Sequence, residues 1–298
     1  MELPITWRAV LGRLGLFILA FTGASAVAVA PVATVLADWA TANPTYARLY
    51  FDITGALAIF AATWVMTTFL DSRPFPTIGF APQHVGRDLS RGLAIGTAWL
   101  GISVGLTIIA GWASPQDPTG LSGSLLLIAA ASALFNVLAQ QLLLCGYILQ
   151  TIKAKAGFPA AMIVSALLFS AIHAAGFHGA WIPPINVFAA GLVFCLAYGI
   201  TGNLWLPAAI HFAWNMLLGP VLGLTVSGTG ALGLGWHSFE IEGPDVFTGG
   251  AFGLEGGLIV TFTTTILVVI LLLIYRRKGV SASVAGSGSE SEEIESRS

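Results

Sequence analysis

Eight apolar stretches, each close to the length of a membrane-crossing helix, constrain this chain more than any other feature of its sequence. A hydrocarbon layer ~30 Å thick requires about 20 apolar residues in a helix. Only 9% of the 298 residues are charged and 56% are hydrophobic, whereas soluble domains have roughly 25% charged residues. The sequence therefore predicts an all-α, polytopic membrane bundle of about eight transmembrane helices. The segments lie near 14–37, 51–70, 92–113, 123–150, 159–174, 184–200, 204–226 and 257–275.

Basic residues near the ends of these segments fall on one side of the membrane if the segments alternate in direction. Cytoplasmic loops are enriched in Lys and Arg, so this pattern predicts that both termini are cytoplasmic. The long loop 227–256 on the other side contains four acids and neither Lys nor Arg. The basic set is Arg8, Arg13, Arg73, Arg87, Arg91, Lys153, Lys155, Arg276, Arg277 and Lys278, with Arg48 as the exception.

The chain is interpreted as one transmembrane domain over 1–278, followed by a tail at 279–298. The tail consists mainly of Ser, Gly and Glu without apolar periodicity, which predicts a disordered cytoplasmic segment. Near the N-terminus, Arg8 and Arg13 precede an apolar run and small residues, as in a cleavable signal peptide. Because the run is longer than in a typical signal peptide, a retained first helix is favoured and cleavage is the alternative.

Polar side chains inside the apolar segments are the first candidates for function, because hydrocarbon does not satisfy their hydrogen bonds. A helical rise of ~1.5 Å per residue, counted from the predicted cytoplasmic end of each segment, places these side chains at a similar depth near the middle of the membrane. One interpretation is a polar pocket formed by segments four, five and seven. The other is a set of hydrogen bonds that only hold the helices together. The residues are Asn136, Gln140, Gln141, His173, His211 and Asn215.

Two spaced motifs in these segments resemble those of a known membrane protease family. Phe169-x-x-x-His173 matches a Phe-x-x-x-His pattern, and His211-x-x-x-Asn215 matches a His-x-x-x-Asn or Asp pattern. Together with an altered first motif, these two motifs resemble those of the CPBP family. This family includes the CAAX prenyl proteases and the bacteriocin-processing and self-immunity (Abi) proteins. The resemblance covers about 123–220, the motif-bearing core.

The first motif departs from the family's Glu-Glu-x-x-x-Arg-Gly. Gln140 and Gln141 stand where the family has its two glutamates, and Cys145 stands where it has arginine. A buried arginine beside two neutral amides would be an unpaired charge, so the three changes neutralise one another. Cys145 and Cys195 both lie in apolar segments, and we interpret them as small buried side chains rather than a disulfide.

The resemblance implies an intramembrane metalloendopeptidase that acts on membrane peptides or lipidated protein ends. Gln140 or Gln141 occupies the place of the glutamate that activates water, while His173 and His211 would hold zinc or polarise the substrate. Asn215 would stabilise the oxyanion or serve as a ligand. The family likeness also implies a bacterial plasma membrane, with lipids as partners. We expect no nucleic-acid partner, and we expect the substrate pocket to be lined by Asn136, Cys145, Phe169 and Trp214.

Loss of the carboxylates argues against efficient catalysis. A carboxamide has no proton-accepting pKa near neutrality, and loss of general-base help costs about 10²–10⁴ in rate. Zinc is expected to be weakly bound or absent, because a hydrolytic zinc usually has three protein ligands and neutral amides are poor donors. We therefore interpret the chain as a peptidase scaffold with lost or impaired catalysis, a pseudoenzyme that binds a membrane peptide or partner helix.

Two alternatives remain open at the level of sequence. The first is an active protease in which His173 or His211 acts as the base. The second is a transporter that uses the same polar pocket. Transport is less favoured, because we expect no carboxylate at mid-membrane depth and identify no internal repeat.

Overall fold

The computed structural model describes residues 6–116, 122–229 and 238–295. Six of its helical runs are long and apolar enough to cross a membrane, so the predicted all-α membrane bundle is confirmed. The helices, in chain order, are α1 (Trp7–Thr34), α2 (Ala37–Ala42), α3 (Pro44–Val65), α4 (Val85–Ile109), α5 (Gly123–Gln141), α6 (Leu149–Ile172), α7 (Ile182–Thr201), α8 (Trp205–Met216), α9 (Asp245–Thr248) and α10 (Leu258–Glu295).

The longest of the six runs, Gly123–Ile172, contains 50 residues and comprises two antiparallel spans rather than one. Its helical dihedrals break at Gly157, where φ is 79° and ψ is 168°. The Ser165 hydroxyl donates to the Leu144 carbonyl at 3.2 Å, although a straight helix would separate residues 21 apart by about 31 Å. The chain therefore folds back between them, as the separate segments 123–150 and 159–174 predicted.

Three π-helical turns extend the spanning helices. They follow α3, α5 and α8 at Met66–Leu70, Leu142–Ile148 and Leu217–Val221. The last one lengthens α8, the shortest span. A π turn places an extra residue in the helix and rotates every later side chain to a new direction. Sequence spacing alone therefore gives the wrong helix face for residues beyond such a turn.

Contacts between helix ends show that the spans alternate in direction. Arg13 Nε lies 3.3 Å from Asp71 Oδ1, and Arg73 Nη1 donates to Gln150 Oε1 at 3.0 Å. Lys278 Nζ donates to the Ile200 carbonyl at 2.8 Å. We call this end of the bundle the basic face. The opposite end, formed by the described parts of 174–181 and 222–257, is called the acidic face.

Two short strands, absent from the sequence-based prediction, lie on the acidic face. Strand β1 (Ala113–Gln116) pairs antiparallel with β2 (Ser238–Ile241), with Ala113 opposite Ile241. Just before β1, the ring of Trp112 stacks on Phe247 with centroids 5.1 Å apart. These contacts attach the loop that follows β2 to the end of α4.

Close packing of α4 on α8 positions the helix that carries His211. A Cβ added at Gly92 would lie 2.5 Å from Ala209 Cβ, and one at Gly96 would lie 2.5 Å from the Ile210 carbonyl oxygen. Small residues spaced four apart let membrane helices approach closely. The backbone of α8 therefore rests directly on the glycine stripe of α4.

The last helix runs Leu258–Glu295, and its apolar span ends at Lys278. The disorder expected for 279–298 stays a prediction, and residues 296–298 lie outside the described residues. The predicted single domain over 1–278 and the retained N-terminal helix also stay predictions.

Candidate functional site

A small cavity lies among α4, α6, α7, α8 and the loop before α10. Its volume of about 30 Å³ has room for roughly two water molecules. Its wall includes four aromatic rings, from Trp99, Phe169, Phe194 and Trp214. The polar side chains in the wall are His173, Asn186, His211, Asn215, Ser227 and Glu255.

His211 lies at the centre of a chain of three side chains. Its Nδ1 is 3.1 Å from Gln141 Nε2, and its Nε2 is 3.2 Å from Asn215 Nδ2. The ring is buried and stacks on Phe194, with centroids 4.6 Å apart. A neutral imidazole has one donor and one acceptor nitrogen, and an amide presents either its oxygen or its nitrogen on rotation. The two amides therefore accommodate either tautomer of His211.

His173 follows the last turn of α6 and has a different environment. Its Nδ1 lies 2.7 Å from the Phe169 carbonyl oxygen, which only accepts hydrogen bonds, so Nδ1 carries the proton. Nε2 is then left with a lone pair. The Phe169 ring lies between the two imidazoles, with centroids 4.7 Å from His173 and 5.8 Å from His211.

Gln140 belongs to a second network outside the cavity. Its Nε2 donates to Asn136 Oδ1 at 2.6 Å, and Asn136 Nδ2 donates to Asp52 Oδ1 at 2.9 Å. Ser132 Oγ also donates to Asp52, and Arg48 Nε lies 3.7 Å from its Oδ2. Successive residues of an α-helix point about 100° apart, so only one of the two neighbouring glutamines, Gln141, contacts His211.

The structure thus places Asn136 and Gln140 between α3 and α5, away from the two histidines. It also corrects the expectation that no carboxylate is buried within the membrane helices. Asp52 lies in α3 with a side chain only 11% exposed. Asp88 in α4 is completely buried and accepts a hydrogen bond from Asn203 Nδ2 at 2.8 Å.

Cys145 also lies away from the cavity wall. The π-helical turn Leu142–Ile148 follows Gln141 directly and directs the thiol toward α7. There Cys145 Sγ lies 3.9 Å from Cys195 Sγ, with both thiols free and buried. Of the four residues predicted to line the substrate pocket, Phe169 and Trp214 line the cavity, whereas Asn136 and Cys145 do not.

Glu255 is the site residue that the sequence did not reveal. Its Oε1 accepts a hydrogen bond from Trp214 Nε1 at 2.8 Å. Its Oε2 accepts from the backbone N–H of Ser227 and from Ser227 Oγ, the latter at 3.3 Å. Burial raises the pKa of this carboxyl above its ordinary value, although the bonds from Ser227 and Trp214 oppose the shift. A glutamate in a Gly-rich loop outside the apolar segments gave no sign that it would be buried.

The loop that carries Glu255 is folded tightly enough to bring it inside. Short 3-10 turns at Gly250–Phe252 and Leu254–Gly256 follow α9. Gly253 has a φ of 88°, and a Cβ there would lie 2.7 Å from the Thr225 carbonyl oxygen. Asn186 Nδ2 donates to the backbone carbonyl of Glu255 at 2.8 Å. The glycines of this run are the one signal in the sequence that pointed to a compact loop.

The donor set of the cavity does not fit a hydrolytic metal site. Within 6–116, 122–229 and 238–295, no group of three or more His, Cys, Asp or Glu side chains is arranged to hold a metal ion. Both ring nitrogens of His211 lie within hydrogen-bond distance of amides. A catalytic zinc usually takes three protein ligands, which these two histidines alone do not supply.

The motif-bearing core of the chain matches a protein-family model. Residues 122–217, which are 96 of the 298 residues, match the family described as type II CAAX prenyl endopeptidase Rce1-like. No curated protein and no solved structure is significantly similar to the chain. The match contains all three motifs and confirms the resemblance of the motif-bearing core to the CPBP family.

Proposed function

We propose that this multi-pass membrane protein, whose core belongs to the CPBP (CAAX protease) family, is a peptidase scaffold with lost or impaired catalysis. It binds membrane peptides or lipidated protein ends, in contact with membrane lipids. The observation that carries the proposal is the carboxamide of Gln141 beside His211, at a position where the family has a glutamate. More specifically, we propose a pseudoenzyme of the Abi type in a bacterial plasma membrane. Its basic face lies in the cytoplasm.

The geometry supports loss of the general base. Gln141 is the residue of the first motif that contacts His211, but an amide takes no proton from water near neutral pH. Glu255 is a carboxylate of the cavity wall, but Trp214 and Ser227 hold it in place with three hydrogen bonds, and we assign it a structural role in this proposal. The site retains His211 and Asn215, which bind a polar group, and has an amide at the position of the family's glutamate.

Cleavage assays on single-site variants test this proposal. Gln141→Glu places a carboxylate 3.1 Å from the position of His211 Nδ1, and we expect it to raise peptide cleavage in proteoliposomes about 10²-fold or more. Gln140→Glu is the matched control, because the adjacent side chain faces Asn136 outside the cavity. It should leave cleavage at the wild-type level. Wild-type cleavage of membrane or farnesylated peptides that His211→Ala abolishes would refute the proposal.

A second candidate function is an active protease that uses His173 as its base. The hydrogen bond from Nδ1 to the Phe169 carbonyl leaves Nε2 able to take a proton, and the His173 side chain lines the cavity. In that case the wild-type protein cleaves peptides, and His173→Gln removes the activity while Gln141→Glu adds little. The same set of variants therefore distinguishes the two candidates.

A further inference from the structure

We infer that the site takes its ligand from the acidic face, and that the ligand is the basic extramembrane part of a membrane peptide rather than a lipidated C-terminus. The inference rests on the proposed function, since it names the ligand of the same cavity. It also decides between the two ligand classes that the proposed function names, which are membrane peptides and lipidated protein ends.

Part of the cavity wall comes from the acidic-face ends of the helices. Asn186 is the fifth residue of α7 and Val260 the third residue of α10, and both helices begin on that face. His173 directly follows the last residue of α6, which ends there. Ser227 and Glu255 come from acidic-face loops. The loops of the acidic face therefore form the wall between the cavity and that side of the membrane.

The basic-face end of α8 is closed by packed rings and backbone contacts. Trp205, the first residue of α8, packs edge-on against Phe80 with centroids 5.3 Å apart. Phe80 stacks on Phe75 at 5.7 Å, and Trp205 Nε1 donates to the Ala81 carbonyl at 2.9 Å. The Leu204 N–H donates to the Gly79 carbonyl at 2.9 Å. A ligand from this side would have to displace the whole loop before α4.

Two clefts of peptide size flank the loop of Glu255 on the acidic face. One has a volume of about 330 Å³ and is lined by residues that include Phe177 and Trp181. The other has a volume of about 460 Å³ and a more polar wall that includes Thr225 and Glu240. Both share Asp245 as a lining residue. Pockets of roughly 300–1,000 Å³ hold drug-sized ligands, so each cleft accommodates a few residues of an extended peptide.

The charge of this face selects against a lipidated C-terminus. Segments 174–181 and 222–257 contain no Lys or Arg, while Glu240, Glu242 and Asp245 are acids of the same face. A lipidated C-terminus carries a free carboxylate, which these acids repel. A peptide with ammonium or guanidinium groups outside the membrane is attracted instead. The acidic rim therefore matches a basic peptide segment.

Cysteine labelling from each side of the membrane tests the direction of access. Ser227→Cys and Ala190→Cys place reporters in the cavity wall, while exposed Thr229→Cys marks the acidic face and exposed Thr77→Cys marks the basic face. The native thiols are buried and should give little background. We expect a membrane-impermeant maleimide to label both cavity reporters from the side that labels Thr229→Cys. Labelling from the Thr77→Cys side, or from neither side, overturns the inference.

Protection by defined peptides tests the ligand class. One probe is a synthetic peptide with a single apolar span and a Lys-rich end placed on the acidic-face side; the other is a farnesylated peptide with a free C-terminus placed on the basic-face side. We expect the Lys-rich peptide to slow labelling of Ser227→Cys about tenfold at a concentration ten times its Kd and the farnesylated peptide to have no effect. No protection by the Lys-rich peptide, or equal protection by the farnesylated one, overturns the ligand class. Labelling requires no cleavage, so an active wild-type enzyme would refute the proposed function without changing this result.

Discussion

Gln140 and Gln141 are neighbours in sequence and belong to different hydrogen-bond networks. Gln141 contacts His211, whereas Gln140 contacts Asn136, which in turn contacts Asp52. Replacement of two acidic residues by amides therefore has two consequences. At Gln141 it removes the base next to an imidazole. At Gln140 it avoids a second carboxylate close to Asp52, where like charges in a membrane are costly.

The pH dependence of stability is expected to report on Glu255. Burial raises the pKa of its carboxyl, so the folded protein binds a proton more readily than the unfolded chain. Stability contributed by this group is then present below the ordinary glutamate value of about 4.3 and is lost as pH rises through the raised pKa. We expect the Tm of wild-type protein to fall relative to that of Glu255→Gln as pH increases through this window.

The comparison with Glu255→Gln isolates one carboxyl group. His173 and His211 line the same cavity and are unchanged in both proteins, so the difference between the two Tm values isolates the substitution at Glu255. Scanning calorimetry in detergent from pH 4 to pH 8 measures that difference. A constant difference, or one with the opposite slope, would show that the carboxyl is not protonated preferentially in the folded state.

Among the contacts between helices, the packing of α4 on α8 fixes the position of the site residues on α8. Gly96 lies against the backbone of Ile210, the residue that precedes His211, whereas Gly101 of the same helix has open space where a Cβ would be. Any side chain at Gly96 therefore moves α8, and with it His211 and Asn215. The same side chain at Gly101 meets nothing.

Substitution of alanine at these two glycines should give changes in stability of opposite sign. Gly101→Ala should be neutral or stabilising by up to about 1 kcal/mol, because alanine favours helix. Gly96→Ala gains the same preference but must displace the Ile210 carbonyl, and overpacking of this kind costs about 1–3 kcal/mol. Unfolding by sodium dodecyl sulfate in mixed micelles measures both. Equal effects at the two positions would show that α8 does not depend on close packing at Gly96.

At the scale of the whole molecule, the sequence predicted the spans better than the site. Segment length and apolarity define a helix that crosses a membrane, so α1, α3, α4, α7 and α10 were anticipated with errors only at their ends. The reversal at Gly157 lies between the segments 123–150 and 159–174, which the sequence predicted as separate spans.

The composition of the site could be predicted only in part, for two physical reasons. Motif spacing identified His173, His211 and Asn215, which the cavity brings together. The face of α5 that each glutamine occupies depends on how the helix is rotated, and the π turn after Gln141 changes the direction of Cys145. Burial of Glu255 depends on contacts with Trp214 and Ser227, which are distant from it in sequence.

Alternation of the spans leads to a prediction about orientation. The described chain begins and ends its spans on the basic face, where Arg13 contacts Asp71 and Lys278 contacts the Ile200 carbonyl. Lys and Arg favour the cytoplasmic side, so epitope tags fused at either terminus should be digested by added protease only in inverted membrane vesicles. A tag inserted at Gly179, an exposed glycine of the acidic face with open space around it, is the matched control and should be digested only in right-side-out vesicles. Digestion of a terminal tag and the Gly179 tag from the same side would contradict this orientation. The number of spans between the two tags would then differ by one from the number in the described fold.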